Sequence, residues 1–218
     1  MGGMFEYMAM ERETLQRFAY DWEYTSNVTI LFGAFTLVAV IGWLVSSLLT
    51  AIHVFALPAI PADAPVQGSI EVITSQWAYV FGVPLATLGA IYYLTTIGLA
   101  LWWFDTRHPL IVKILTPITA TGVLASGYFV WLQLVPIGAI CPFCMISAGA
   151  TVILFGLELA ILHQSVTPPL TNLLSDFVPV LQQTNVAVVV FPLLVGLASL
   201  VGMFMIPLLP LPEPVPFA

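Results

Sequence analysis

Long apolar stretches, separated by short polar segments, dominate this sequence. Five of them reach the roughly 20 residues that a helix needs to cross a lipid bilayer, at 29–53, 80–104, 110–135, 143–162 and 186–208. Their interiors hold no Lys or Arg apart from Lys113, which lies near the start of the third stretch and can extend its amine to the membrane surface. The pattern predicts an all-α membrane protein with five transmembrane helices.

The flanking segments carry weaker patterns. Between residues 8 and 22, apolar residues recur at helical spacing opposite charged ones, which is typical of an amphipathic helix lying on a membrane surface. We assign residues 1–27 to such a helix on the inner surface. Residues 166–208 are expected to form a short interfacial segment and the fifth transmembrane helix, and residues 209–218 a proline-rich extended tail.

The connection between the first and second stretches has two parts. Residues 56–66 are rich in proline and predict an extended loop. Ser69 can then cap a helix, and Glu71 suits the positive end of that helix. The apolar residues that follow fall on one helical face: Ile70, Ile73, Trp77 and Phe81. We expect residues 54–79 to form an outer lid, with a half-helix lying across the end of the bundle.

Composition agrees with a membrane protein, and the cations set its orientation. Hydrophobic residues make up 60% of the 218 positions and charged residues 7%, which excludes an ordinary soluble domain. Five crossings place all four cations, Arg12, Arg17, Arg107 and Lys113, on one side, and the positive-inside rule makes that side cytoplasmic. We therefore predict a multi-pass protein of the cytoplasmic membrane with its N-terminus inside and its C-terminus outside. The chain has no basic patch, so nucleic acid is not an expected partner.

Both cysteines lie in the tetrapeptide Cys141-Pro142-Phe143-Cys144, which opens the fourth stretch on the predicted outer side. With Pro142 as the first helical residue, Cys141 becomes the N-cap and Cys144 lies one turn inside the helix on the same face. The unpaired N–H groups and positive dipole of a helix start favour the thiolate, so the spacing predicts a redox-active disulfide. The alternative is that both cysteines are small, buried apolar residues. A metal site is not expected, because the three histidines are spread over the whole chain.

Two further polar residues have open interpretations. His53, at the outer end of the first stretch, could donate a proton during catalysis or simply bind water. Glu158 lies inside the fourth stretch, where an acid is a functional candidate. It is close to His163 and Lys113 at the inner end, so a structural ion pair or an interfacial position is the preferred interpretation.

Several runs together resemble the vitamin K epoxide reductase family. They are Val72-Ile73-Thr74-Ser75-Gln76-Trp77, Phe81-Gly82-Val83-Pro84, Gly89-Ala90-Ile91-Tyr92-Tyr93 and Cys141-Pro142-Phe143-Cys144-Met145-Ile146-Ser147-Ala148. The resemblance covers roughly residues 28–165. It implies a four-helix bundle with the lid 54–79 and a thiol:quinone oxidoreductase activity. It also implies that Cys144 faces the quinone, that Cys141 exchanges disulfides, and that Ser75 matches a lid serine or threonine near the active site.

The sequence departs from the family pattern at several positions. Family members relay electrons through two lid cysteines, and alignment on Trp77 places Ser69 at the second of them. Leu85 stands where many members have a polar residue that reaches a quinone carbonyl, and Ala148 where vertebrate members have a tyrosine. No thioredoxin-like domain follows the fifth stretch in this sequence.

Quinone binding is therefore expected mainly from the fold and from aromatic residues. The candidates are Phe143, Trp77, Tyr128 and Trp131. Packing in the protein or contact with lipid is the alternative role for each of them.

These observations lead to two hypotheses. In the first, a membrane thiol:quinone oxidoreductase passes electrons through Cys141 and Cys144 to menaquinone or ubiquinone, and its electron donor is a periplasmic thioredoxin-like thiol protein. In the second, a non-catalytic member of the same fold is a subunit of a larger respiratory or photosynthetic membrane complex. The cysteines then form a structural disulfide, and the partners are other subunits. The lipid bilayer is a partner in both.

Overall fold

The computed structural model describes residues 23–56, 67–166 and 177–205. Within them, the helices and strands follow in this order: β1 (Glu23–Tyr24), α1 (Val28–Ala51), α2 (Ser69–Thr74), β2 (Tyr79–Val80), β3 (Val83–Pro84), α3 (Leu85–Thr106), α4 (Pro109–Leu132), α5 (Pro142–His163), β4 (Ser165–Val166), α6 (Phe177–Gln183) and α7 (Val186–Met205). A π-helical turn extends α1 over Ile52–Ala56, and a second one extends α4 over Gln133–Ile137.

Five of these helices are long and apolar enough to cross a membrane, namely α1, α3, α4, α5 and α7. The prediction of an all-α membrane protein with five transmembrane helices is therefore confirmed. Four of the helices begin within one residue of the predicted starts. The exception is α3, which begins at Leu85 rather than at residue 80, because β2 and β3 pair as a short hairpin immediately before it. Phe81 and Gly82 form its turn with positive φ angles of 51° and 80°, as a two-residue hairpin turn requires.

The centre of the bundle is α1, which packs against α3 and α5, while α4 packs against α5 and α7 packs against α3. A buried aromatic cluster ties α1 and α3 together. The rings of Phe32 and Trp103 are stacked with their centroids 3.8 Å apart, and the Arg107 guanidinium lies over the Trp103 ring, 4.3 Å from its centroid. Such stacked and cation–π contacts fix the relative position of α1 and α3 at this end of the bundle.

We call this end of the bundle the arginine end, after Arg107, and the opposite end, where α5 begins at residues 141–144, the cysteine end. At the arginine end, the Arg107 side chain donates a hydrogen bond to Thr29 Oγ1 (2.8 Å) at the start of α1. There too, β1 pairs with β4, which follows α5. The start of α1, the α3–α4 turn and the end of α5 therefore lie together, as the up-and-down order of the helices requires.

The predicted half-helix over the cysteine end is confirmed as α2, although it is shorter than its apolar pattern suggests. It begins at Ser69, with Gly68 as the N-cap at φ 59°, so the prediction that Ser69 is the cap is wrong by one residue. Ser75 is extended, which ends α2 before Trp77 and Phe81 can join its face. Phe81 is fully exposed at the tip of the β2–β3 hairpin, so only the first part of the predicted apolar face packs onto the bundle.

Several sequence-based predictions fall outside the described residues. They are the interfacial helix between residues 8 and 22, the proline-rich part of the lid at 57–66, the segment 167–176 and the tail at 209–218. Of the segment predicted to precede the fifth helix, the structure describes α6, whose Phe177 ring meets the Trp102 ring edge-on with centroids 6.3 Å apart. The short α6 thus contacts α3 at the arginine end.

Candidate functional site: a cysteine pair beside a cavity between the helices

The cysteine pair opens α5 in the geometry that the spacing predicts. Pro142 is the first helical residue and Cys141 is the N-cap, with its Sγ accepting a hydrogen bond from the backbone N–H of Cys144 (3.2 Å). The backbone N–H of Cys141 donates in turn to Oε1 of Gln133 (2.8 Å) on the π-turn that ends α4. Both cysteines are thiols, and the first of them is thus held by polar contacts on two sides.

The surroundings of Cys141 favour its thiolate. Hydrogen bonds from the Cys144 thiol, from the backbone N–H groups of Cys144 and Phe143, and from the Ser69 hydroxyl outweigh the effect of burial and lower the pKa of Cys141 to about 6. Hydrogen bonds to a charged form stabilise that form, and a helix start supplies such donors in its first turn. At neutral pH the reduced pair therefore carries its negative charge on Cys141.

The two sulfurs face different surroundings. Cys141 has no solvent-exposed surface and packs against Val72 and Ile73 of α2. Cys144 is partly exposed and lines a cavity between the transmembrane helices. The pair thus connects the underside of the lid helix with the interior of the bundle.

The cavity has a volume of about 730 Å³, which is within the range of small-molecule sites. Its walls are mostly apolar and come from α1, α3, α4 and α5. On α4 the lining residues recur every three to four positions: Pro117, Ile118, Thr121, Gly122, Ala125, Ser126, Phe129, Val130 and Gln133. One whole face of this helix therefore looks into the cavity, from its middle to the cysteine end.

The model of the vitamin K epoxide reductase family matches residues 33–159. The chain belongs to this family. The match covers more than half of the sequence and includes the four helices around the cavity and the cysteine pair. Membership implies, in general terms, a membrane-bound, thiol-dependent oxidoreductase chemistry with quinones. A comparison with curated proteins gave no significant match.

The family's relay position is occupied by Ser69, at the start of α2. Its hydroxyl lowers the pKa of Cys141, so Ser69 lies near that sulfur at the start of α2. A hydroxyl group can stabilise the thiolate of Cys141 but cannot form a disulfide with it.

The four aromatic residues that we expected to bind quinone lie outside the large cavity. Tyr128 and Trp131 stack on each other with centroids 6.0 Å apart and are about half exposed on the outer surface of α4. Phe143 is also exposed, and Trp77 lines a smaller neighbouring cavity of about 60 Å³. At 3.6 residues per turn, positions 128 and 131 fall between the residues of α4 that face inward, so their alternative role as lipid-facing side chains agrees better with the structure.

Ser75 and His53 lie together in the smaller cavity. The Ser75 hydroxyl donates to the carbonyl of Val72 (2.7 Å) and so ends α2. Nε2 of His53 lies 2.6 Å from the hydroxyl of Tyr79 in the β2–β3 hairpin. The two cavities share Leu85, Ala86, Phe129 and Gln133, so this polar group adjoins the large cavity at its cysteine end.

Among the polar residues that line the large cavity, sequence reasoning missed Gln133, Tyr92 and Tyr93. The hydroxyl of Tyr93 hydrogen-bonds to the carbonyl of Ser147 and to the hydroxyl of Thr151 (2.8 Å) across the bundle. The signal for Gln133 was an amide inside an apolar stretch, where a polar side chain needs a partner.

The interfacial position expected for Glu158 is wrong, and its hydrogen-bond partner is a hydroxyl, while Lys113 is its charged neighbour. Glu158 is fully buried, and its Oε1 accepts a hydrogen bond from Thr116 Oγ1 on α4 (2.5 Å). His163 is exposed at the end of α5, more than one helical turn away along the chain. Glu158 therefore links α4 and α5 in the core of the bundle, away from the large cavity.

Proposed function

We propose that this protein is a membrane thiol:quinone oxidoreductase, in which Cys141 and Cys144 pass two electrons from an external thiol protein to a quinone. The observation that carries the proposal is that Cys144 lines a mostly apolar cavity of about 730 Å³ between four transmembrane helices. Such a cavity suits a flat, apolar ring with a hydrocarbon tail. The other cysteine lies beneath the lid helix, so the two sulfurs face different sides of the site.

The electrons come from the pair, and the protons come from the pair and from water. Starting from the Cys141 thiolate and the Cys144 thiol, the pair gives up two electrons and one proton as the bond between the sulfurs forms. The quinone takes these up together with a second proton from water to become the quinol. Because Cys141 is favoured as the thiolate and Cys144 is the sulfur in the cavity, Cys144 is the sulfur nearest the acceptor. The thiolate of Cys141 can then close the disulfide.

In the second half of the cycle, a partner thiolate attacks Sγ of Cys141, and Cys144 leaves as a thiolate that takes up a proton. The second thiol of the partner then displaces Cys141, so that the partner becomes oxidised and both cysteines are thiols again. Attack requires access in line with the disulfide, and Cys141 has no exposed surface beneath α2. The exchange step therefore requires α2 to move away from the start of α5.

The setting that we propose is a cytoplasmic membrane with the cysteine end on the outer face. The electron donor would be a periplasmic thioredoxin-like protein, and the acceptor menaquinone or ubiquinone. An oxidising compartment supports this placement, since disulfides persist there. The four cations support it through the positive-inside rule.

A second candidate function is a non-catalytic subunit of a larger membrane complex. The specific observation in its favour is the burial of Cys141 beneath a lid whose relay position is Ser69. In that case Cys141 and Cys144 would form a structural disulfide that fixes the start of α5.

Dithiol-driven quinone reduction by the purified protein in lipid nanodiscs distinguishes the two functions. We expect the wild type to reduce an added short-chain quinone, and Cys141→Ser and Cys144→Ser each to abolish the activity, because neither can form the disulfide. Ile146→Ser, which changes an exposed residue on the first turns of α5, is the control and should retain it.

Trapping of the partner tests the order of the two sulfurs. Cys144→Ser should hold a thioredoxin-like protein as a mixed disulfide on Cys141, whereas Cys141→Ser should hold none. If neither variant captures a partner and the wild type reduces none of the added quinones, the enzyme proposal is abandoned in favour of the structural subunit.

A further inference from the structure

Several polar groups that line the large cavity are already engaged inside the protein. The hydroxyl of Thr121 donates to the carbonyl of Pro117, and that of Thr151 to the carbonyl of Ser147, as threonines in helices commonly do. The hydroxyl of Tyr93 is used by Ser147 and Thr151. Leu85 and Ala148, where other family members carry polar residues, also line the cavity but offer no polar side chain.

Gln133 is different, because one half of its amide is engaged and the other half is not. Its side chain is only 4% exposed and borders both cavities. Oε1 accepts the backbone N–H of Cys141 at 2.8 Å, which leaves Nε2 with two N–H donors. Within the part of the chain that the structure describes, no group accepts a hydrogen bond from Nε2. Because Gln133 lines the cavity and its Nε2 is not used inside the described protein, this amide is suited to a ligand with a carbonyl oxygen.

The backbone around Gln133 supports a role in binding. Gln133 is the first residue of the π-helical turn that ends α4, followed by Pro136 and by Gly138 at φ 75°. π-Turns occur frequently at functional sites. Here the turn directs Gln133 toward the start of α5, beside the residue that pairs with Cys144.

We propose that Nε2 of Gln133 donates a hydrogen bond to the quinone carbonyl nearest Cys144, and so holds the ring at the cysteine end of the cavity. This inference rests on the function proposed above and names the residue that positions the quinone. The same side chain then joins the ring to the backbone of Cys141 through its two amide atoms. A donor on a quinone carbonyl also draws electron density out of the ring, which favours its reduction by a nearby sulfur.

Tyr92 is the rival donor, because its hydroxyl lines the cavity and has no hydrogen-bond partner among the described residues. It lies deeper in the bundle. A Cβ at Gly122 would touch both this hydroxyl and the Thr151 methyl group, and Thr151 is seven residues beyond Cys144, or about 10 Å along α5 at ~1.5 Å per residue. A ring held at Tyr92 would therefore lie about two helical turns farther from the cysteine end than a ring held at Gln133, which makes Gln133 the donor nearer to Cys144.

A binding experiment separates these arrangements without relying on activity. The probes are a naphthoquinone with one short isoprenoid tail and a naphthalene of the same shape and tail but without carbonyls. Both are titrated into nanodisc-embedded protein, and Kd is measured from tryptophan fluorescence quenching. The variants are Gln133→Met, which keeps the shape of the side chain, Tyr92→Phe, and Leu134→Ala as a control for disturbance of the π-turn at an exposed neighbour.

We expect Gln133→Met to weaken naphthoquinone binding by about five- to tenfold, the range for one hydrogen bond, and to leave naphthalene binding within about twofold of the wild type. Tyr92→Phe should lose less naphthoquinone affinity than Gln133→Met, and Leu134→Ala should bind both probes as the wild type does. An equal loss for both probes in Gln133→Met would show a purely structural role and overturn the inference, as would a larger selective loss in Tyr92→Phe.

The outcomes also distinguish this inference from the proposed function. If the wild type binds the naphthoquinone and reduces it with dithiol while Gln133→Met keeps full affinity, only the role of Gln133 is rejected. If the wild type binds neither probe, the quinone function is rejected and the role of Gln133 with it.

Discussion

Ser69 and Cys141 lie near each other where the lid helix covers the start of α5, and under the proposed function this arrangement decides how electrons can enter. The Ser69 hydroxyl lowers the pKa of Cys141 and so adds to the donors of the helix start that stabilise the thiolate. Exchange rates depend on the pKa of both sulfurs, and an acidic cysteine is a good leaving group. The serine thus lowers the pKa of the same sulfur with which a cysteine at this position would form a disulfide.

Replacing Ser69 by cysteine should recreate a disulfide partner for Cys141. Because the Ser69 hydroxyl lies near enough to Cys141 to lower its pKa, a sulfur at position 69 would come within bonding distance of Cys141 after a small adjustment of the lid. We expect mild oxidation of Ser69→Cys to link the introduced sulfur to Cys141, and to leave Cys144 as a thiol that reacts with alkylating agents. Mass spectrometry of the proteolytic peptides measures the linkage.

The control is Thr74→Cys, which lies on the same short helix but is exposed and should remain unlinked. Equal linkage of positions 69 and 74 to Cys141 would show that the lid moves enough for either sulfur to reach Cys141, and linkage at position 69 would then give no evidence for the position of α2. If the sulfur introduced by Ser69→Cys stays a thiol under the same oxidation, the position of α2 is contradicted.

Sequence alone was sufficient to predict the cysteine pair, because N-cap geometry follows from a local Cys-Pro-x-Cys pattern. It was not sufficient for the residues that surround the pair. Gln133 is the first residue of a π-turn and accepts a hydrogen bond from Cys141. The periodicity of a regular α-helix does not predict the direction of a side chain in such a turn. Tyr128 and Trp131 were selected for their chemistry, yet the phase of α4 turns them outward, which only the packing of the other helices determines.

At the scale of secondary-structure elements, a close approach between α1 and α3 shapes the wall of the cavity. Gly42 of α1 faces the ring of Tyr93, and a Cβ at this position would overlap the ring. The same tyrosine reaches Thr151 on α5 through its hydroxyl. The absence of a side chain at Gly42 therefore allows one residue of α3 to connect three helices beside the cavity.

Gly42→Ala should destabilise the protein, because the added methyl group must displace a ring that is fixed by hydrogen bonds. Overpacking of this kind costs about 1–3 kcal/mol and should lower the Tm of the detergent-solubilised protein by several degrees. Gly33→Ala, on the same helix with nothing near the added Cβ, should leave the Tm unchanged or raise it, as alanine favours helix. Gly42→Ala with a Tm no lower than that of Gly33→Ala would contradict the packing of α1 on α3.

The elements themselves were largely predictable from length and polarity, since a span of about 20 apolar residues has few alternatives to a transmembrane helix. The start of α3 and the end of α2 were not. The end of α2 depends on Ser75, whose backbone is extended. The start of α3 depends on the Phe81–Gly82 turn, where both φ angles are positive. Apolar residues continue through both points, so hydrophobicity gives no sign of either break.

At the scale of the whole molecule, Arg107 and the cysteine pair lie at opposite ends of the bundle. The Arg107 side chain reaches Thr29 at the start of α1, so the α3–α4 turn and the chain leading into α1 share the arginine end. The cysteine pair, the lid helix and both π-turns lie at the other end. If the positive-inside rule holds for this protein, the arginine end is cytoplasmic and the redox site opens outward.

This orientation can be tested with reporter cysteines rather than with the native pair, because Cys141 is buried and Cys144 faces the cavity between the helices. In a Cys141→Ser, Cys144→Ser background, Ile140→Cys places an exposed thiol at the cysteine end and Ser26→Cys one at the arginine end. A membrane-impermeant maleimide added to intact cells should label the first reporter alone, and the second should react only after the cells are permeabilised. The reverse pattern would place the cysteine end in the reducing cytoplasm, where a pair with an acidic Cys141 would be kept as thiols, and the periplasmic electron donor would have to be abandoned.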